Sequence, residues 1–247
     1  MPVKVVPHGV EDFMRPMPPT LINMNQGTIL YLHGVRDKFK MLNVFTVSSF
    51  PHRKGIDLLL QAYFEEFTTE DQVMLVIRTE DRKYLQDLCR EHNPGKKMLD
   101  HYLIDETVRF TPEELAMLYN SCDCYVHPSR GEAWGMDLSN AIACGLSTIS
   151  TKYSGMLDYA DKYSRWVDIE ENLIPGTCYR NDGGLYAQPK LSSLRAAMRA
   201  EYEEWKAKPA KSRSRHVRES DTFRERWSWD NAARVAIAAA KELTGEK

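Results

Sequence analysis

The sequence predicts a doubly wound α/β fold, a single parallel sheet with helices on both faces, on three observations. From Val44 onward, short β-branched or aromatic runs alternate with amphipathic segments. In the intervening segments the apolar residues recur at steps of three and four, the spacing of one buried helical stripe. No internal repeat or low-complexity tract breaks the alternation.

The expected strands are NVFTVSS (43–49), VMLVIRT (73–79), part of YLIDETVRF (102–110), CYVHPS (124–129) and LSTIST (146–151). Between the first two, Ile56, Leu59, Leu60, Tyr63 and Phe67 form a helical stripe. Thr111-Pro-Glu-Glu114 supplies the hydroxyl cap, first-turn proline and reciprocal carboxylate of a capping box, so a helix starts there. Leu191, Leu194, Met198, Tyr202 and Trp205 predict another helix, and an Ala-rich helix runs from about Trp229 to Leu243. Residues 1–43 lack periodicity and carry turn formers, Pro16 to Pro19 and Asn25 to Gly27, so they read as a linker-like lead-in with at most a short strand. Residues 44–226 then form a Rossmann-like domain, and 227–247 a C-terminal helix packed on it.

Composition narrows the function classes. The 247 residues are 43% hydrophobic, enough for a packed core, and 33 Lys and Arg against 35 Asp and Glu leave a formal charge of −2. No overall field draws in nucleic acid, and the basic stretch Lys206 to Arg226 is interrupted by Glu219, Asp221 and Glu225, as in a solvated helical face. The N-terminus has no signal-peptide pattern and no run of 18 apolar residues occurs, so no transmembrane segment and a cytoplasmic location are expected. Five cysteines (Cys89, Cys122, Cys124, Cys144, Cys178) lie mostly in apolar segments, which suits a reducing compartment. A zinc site through Cys122, Cys124 and His127 is the alternative; buried thiols are favoured because the pair opens a strand-like run, and no metal is expected.

Two loops have the form of ligand sites beyond the carboxyl ends of parallel strands. Ser48-Ser-Phe-Pro-His-Arg-Lys-Gly55 leaves a strand and offers Arg53 and Lys54, cations suited to a diphosphate; it reads equally as an ordinary βα loop with two exposed charges. Pro128-Ser-Arg-Gly-Glu-Ala-Trp-Gly-Met136 places Gly131 and Gly135 before a helix, where the N–H groups of Trp134, Gly135 and Met136 would face a phosphate. On the same loop Glu132 could accept hydrogen bonds from sugar hydroxyls. No G-x-G-x-x-G follows the first strand, which argues against a dinucleotide enzyme.

Together Arg53 to Tyr63, Thr111-Pro-Glu-Glu-Leu with Tyr119, and Pro128 to Gly145 with Ser154-Gly155 resemble the C-terminal, donor-binding domain of the family 4 (group 1) retaining glycosyltransferases, which have the GT-B fold. Val5 to Val10 with Pro16 is similar to the family's interdomain linker, and Trp227-Ser-Trp229 to the entry of its closing helix. The resemblance implies that Glu132, the first acid of a pair separated by seven residues, contacts the transferred sugar as the catalytic position. It implies donor diphosphate contacts through Ser49, Arg53, Lys54, Trp134, Gly135 and Met136, a ribose contact at Asn140, and a nucleobase laid against Val108, Arg109 and Phe110.

Three departures accompany it. Asn140 stands where the family has its second acid and lacks charge-assisted strength. Ser48-Ser49 stands where relatives often have Gly-Arg. The sequence begins at the linker-like stretch, so the acceptor-binding N-terminal domain is expected from a partner subunit, from self-association or from a longer polypeptide, unless the acceptor binds directly on the exposed face of this domain. The expected function is metal-independent, retaining transfer from a nucleoside-diphosphate sugar to an unidentified acceptor, without a cofactor. The alternative is a non-catalytic nucleotide-sugar-binding or scaffold module.

Overall fold

A computed structural model describes residues 4–17, 31–32, 34–45, 51–79, 81–93, 95, 99–104, 109–176 and 184–244. Six strands form one parallel sheet: β1 (Phe39–Phe45), β2 (Val73–Thr79), β3 (His101–Ile104), β4 (Cys124–His127), β5 (Ser147–Thr151) and β6 (Ser164–Val167). Their order is β3-β2-β1-β4-β5-β6, so the winding reverses between β1 and β4. The helices are α1 (Pro51–Lys54), α2 (Ile56–Glu66), α3 (Arg82–His92), α4 (Pro112–Asn120), α5 (Met136–Ala143), α6 (Leu191–Ala207), α7 (Pro209–Arg226) and α8 (Trp229–Thr244). A small antiparallel pair, β7 (Ile174–Pro175) and β8 (Leu185–Tyr186), stands apart from the main sheet.

The period of two along each strand sorts side chains between two cores. Phe39 and Met41 of β1, with Val73, Leu75 and Ile77 of β2, face Leu59, Tyr63, Leu85, Leu194 and Met198 of α2, α3 and α6. Leu42 and Val44, with Met74 and Val76, face Ala116, Leu118, Leu138, Ala141 and Phe223 of α4, α5 and α7. Burial on both faces explains why VMLVIRT is a continuous apolar run, as central parallel strands are.

The predicted capping box is present: the Thr111 amide donates to Glu114 Oε2 at 2.8 Å and the Glu114 amide to Thr111 Oγ1 at 3.2 Å. Strand boundaries differ from expectation. β1 begins at Phe39 instead of Asn43, inside the stretch read as lead-in, because Lys40 interrupts the apolar run yet is buried. Its ammonium donates to the Val35 carbonyl at 2.7 Å and lies 3.4 Å from Asp123 Oδ2, which satisfies the charge. The described part of β1 runs to Phe45 and that of β3 over 101–104, while β4 ends at His127, ahead of Pro128, which has no N–H for a ladder. Residues 46–50 and 105–108 lie outside the described residues.

The basic stretch after residue 206 is largely α7, which is amphipathic: His216, Ser220 and Phe223 are buried while Arg218, Asp221 and Glu225 are exposed. Cys122, Cys124 and Cys144 are buried and Cys89 is half-buried; Cys178 lies outside the described residues. No described helix is long and apolar enough to cross a membrane.

Candidate functional site

The carboxyl ends of β1 and β4 lie side by side where the winding reverses, and α1 and the β4–α5 loop extend from them. Close packing joins these two segments. Gly55, at φ 70°, lies so near Pro128 that a Cβ would stand 2.0 Å from the Pro128 carbonyl oxygen. The Arg130 amide donates to the Arg53 carbonyl at 2.8 Å. Arg130 is itself buried: its guanidinium donates to the His52 carbonyl, to Gln188 Oε1 at 2.9 Å and to both carboxylate oxygens of Asp57. Burial raises the Asp57 pKa, but the hydrogen bonds and charge of Arg130 outweigh it and hold the group below its ordinary value.

This frame brings Arg53, Lys54 and Glu132 together. Lys54 Nζ lies 2.7 Å from Glu132 Oε1 and Arg53 Nη1 2.8 Å from Oε2, and the Glu132 side chain is only 10% exposed. Arg53 Nη1 also donates to the Gly131 carbonyl at 2.8 Å. The Glu132 backbone is fixed from the other side, where Ser154, at φ 65°, directs its hydroxyl to the Glu132 carbonyl and the Gly155 amide donates to it at 3.1 Å. Burial pushes the Glu132 carboxyl up, but His127, Lys54 and Arg53 outweigh this and hold it below the usual carboxylate range. His127, at the end of β4, is buried; desolvation pushes its ring down to about 4, with Glu132 pulling upward and Lys54 and Arg53 pushing downward. The ring is neutral near pH 7, so the two cations carry the charge pairing there.

Gly135 caps α5 at φ 84°, in the left-handed region. Met136 opens that helix: the Leu138 and Ser139 amides donate to the Gly135 carbonyl at 3.0 and 3.1 Å, and the Met136 and Asp137 amides ahead of them have no intrahelical acceptor. The Trp134 ring does not enter the cluster: it stacks on Tyr159 at 4.6 Å and meets Trp227 edge-on at 5.3 Å, while the Tyr159 hydroxyl donates to the Trp134 carbonyl at 2.8 Å. That packing fixes the turn into α5. Asn140 is half-buried one helical turn beyond Met136. Asp137, also in the first turn, has its pKa raised by burial and accepts from the Tyr119 hydroxyl at 3.3 Å.

The other expected residues are not gathered here. Phe110 lies against Arg78 at the end of β2, with the guanidinium carbon 5.6 Å from its ring centroid, and Arg109 beside it is exposed. Ser49 and Val108 lie outside the described residues. Sequence reasoning gave no role to Arg130 or Asp57, and treated His127 only as a metal-ligand candidate. A strand-terminal histidine beside a proline and an arginine in a glycine-containing loop were the visible signals.

Residues 36–172, more than half of the chain, match the family described as glycosyl transferases group 1. The chain belongs to this family. A probable sucrose-phosphate synthase of Thermosipho melanesiensis is 25% identical over 142 residues, 55% of this chain and 33% of that protein. The gpi3 subunit of the Schizosaccharomyces pombe phosphatidylinositol N-acetylglucosaminyltransferase is 27% identical over 141 residues, 55% of this chain and 29% of that protein. The aligned stretches thus span about a third of these curated relatives' length. In structure, sucrose-phosphate synthase from Thermosynechococcus elongatus superposes with a TM-score of 0.66 at 16% identity, over 99% of this chain and 53% of that one. Covering about half of a solved chain is what one domain of the two-domain GT-B fold does.

Proposed function

We propose that this group 1 glycosyltransferase domain binds a nucleoside-diphosphate sugar at the β1–β4 reversal and takes part in metal-independent, retaining transfer of the sugar to an acceptor. The observation that carries the reading is the Glu132 carboxylate held between Lys54 and Arg53 beside the Gly135 start of α5. Two fixed cations and a helix N-terminus offer a diphosphate charge-assisted hydrogen bonds without a metal. When they turn to phosphate oxygens, Glu132 is released towards the sugar hydroxyls. In transfer, the bond between the anomeric carbon and the diphosphate breaks, a bond to the acceptor oxygen forms as that hydroxyl gives its proton to the leaving diphosphate, and the same cations stabilise the diphosphate. The acceptor and the residues that contact it are supplied by a second domain, on this polypeptide or on a partner subunit, whose closure excludes water.

Asn140 favours a second reading, binding of the nucleotide sugar without transfer, because it gives the ribose no charged acceptor. Calorimetric titration with UDP, GDP, ADP and their common sugar conjugates in EDTA tests the first step. Micromolar binding of one conjugate supports the donor site, and failure of every compound rejects it. Release of sugar from the bound conjugate separates transferase from binding module.

A further inference from the structure

His127 is 2% exposed, and its Nε2 has no hydrogen-bond partner. A buried polar atom left unpaired costs free energy, so the arrangement calls for a state in which the atom is used. The nitrogen lies 3.7 Å from Glu132 Oε1, just beyond hydrogen-bond reach, and a Cβ on Gly135 would stand 3.5 Å from it. It is therefore enclosed beneath the loop that carries Glu132. The ring stacks on Tyr125 at 5.8 Å, so the approach belongs to the carboxylate rather than to the imidazole.

Glu132 needs a new donor once its cations are engaged elsewhere, since a carboxylate this buried is costly without one. The Ser129 hydroxyl, 3.4 Å away, lies nearer to the Arg53 carbonyl at 3.1 Å. We propose that His127 is a positioning residue which, with its single proton on Nε2, takes over the Glu132 carboxylate when a diphosphate draws Lys54 and Arg53 away; this rests on the donor-site reading above. A neutral ring is suited to the task, because it donates a hydrogen bond without adding a third positive charge that would keep Glu132 from the sugar.

The test follows the histidine ring nitrogens of the full chain by NMR during titration with sodium pyrophosphate in EDTA, the His127 signals being assigned by their loss in His127→Gln. The expected result is that the Nε2 proton of His127 moves downfield as pyrophosphate saturates the site. His127→Phe should weaken pyrophosphate binding about tenfold, and His127→Gln, whose amide reaches the same region, should bind within about threefold of the parent. Pyrophosphate binding with unmoved His127 signals overturns this proposal and leaves the donor site standing. Absence of pyrophosphate binding overturns the donor-site reading and this proposal with it.

Discussion

The Arg130 guanidinium meets the Asp57 carboxylate with two parallel hydrogen bonds, Nη1 to Oδ1 at 2.9 Å and Nη2 to Oδ2 at 2.7 Å. The arginine side chain is 3% exposed and the aspartate 30%, so the pair is buried on one side only. Because the same guanidinium also donates to the His52 carbonyl of α1, its loss displaces Arg53 and Lys54 as well as destabilising the fold. Arg130→Lys keeps the charge but cannot form the paired geometry, and should cost roughly 2–4 kcal/mol, below the full cost for a completely buried pair. Urea unfolding followed by circular dichroism measures it, and a change under about 0.5 kcal/mol would show that the clamp is dispensable.

Gly55 sets the second constraint on the same junction. Gly55→Ala forces an L side chain into the left-handed region and drives its Cβ against the Pro128 carbonyl. The left-handed conformation alone costs about 1–2 kcal/mol, and the clash adds to it. The thermal midpoint should fall by several degrees, and a variant as stable as the parent would mean that α1 and the β4 end are not in firm contact.

Acid should weaken the fold through two buried histidines. Burial pushes His127 to about 4, and burial together with Arg215 and Arg165 pushes His216 to about 4. Each folded pKa lies below the ordinary value, so between about pH 6.5 and 4 the unfolded chain binds protons that the folded chain does not. Stability therefore falls on acidification through that window, by about 2 kcal/mol per ring near pH 5. Urea unfolding of the parent and of His127→Gln at about pH 7 and pH 5 checks the sign: the variant should lose less on acidification, and an equal loss would remove His127 from the account.

Much of this was legible in the sequence because local rules agree with tertiary ones. The capping box at Thr111, the stripe from Ile56 to Tyr63 and the two-sided apolar run of β2 each need only neighbouring residues to be recognised. Lys54, Arg53 and Glu132 were legible as loop residues beyond strand ends, although Lys54 and Glu132, which pair, stand 78 positions apart in the sequence. The rest depends on partners that no local pattern encodes. Lys40 reads as a break in a strand until Asp123 and the Val35 carbonyl are beside it, and Arg130 reads as a surface charge until Asp57 is. His127 is a strand-end histidine whose burial comes from the folded-back loop.

Lys54 is expected to contribute to binding of any diphosphate, with or without a sugar. Lys54→Ala should weaken both a nucleoside diphosphate and its sugar conjugate by about tenfold to a hundredfold, the loss of a charge-assisted hydrogen bond. Calorimetry with matched nucleotide and conjugate reads both, and unchanged affinity for either ligand would remove Lys54 from the phosphate site.

The central claim is that Glu132 passes from its cations to the sugar when the donor binds. The direct measurement is calorimetric titration of the parent and Glu132→Gln with UDP, GDP and ADP and with their sugar conjugates. In the variant the diphosphate no longer competes with a carboxylate for Lys54 and Arg53, so the nucleotide should bind at least as tightly as to the parent. The conjugate should lose about tenfold or more of its affinity relative to that nucleotide. Equal change for nucleotide and conjugate would contradict the assignment of Glu132 to the sugar.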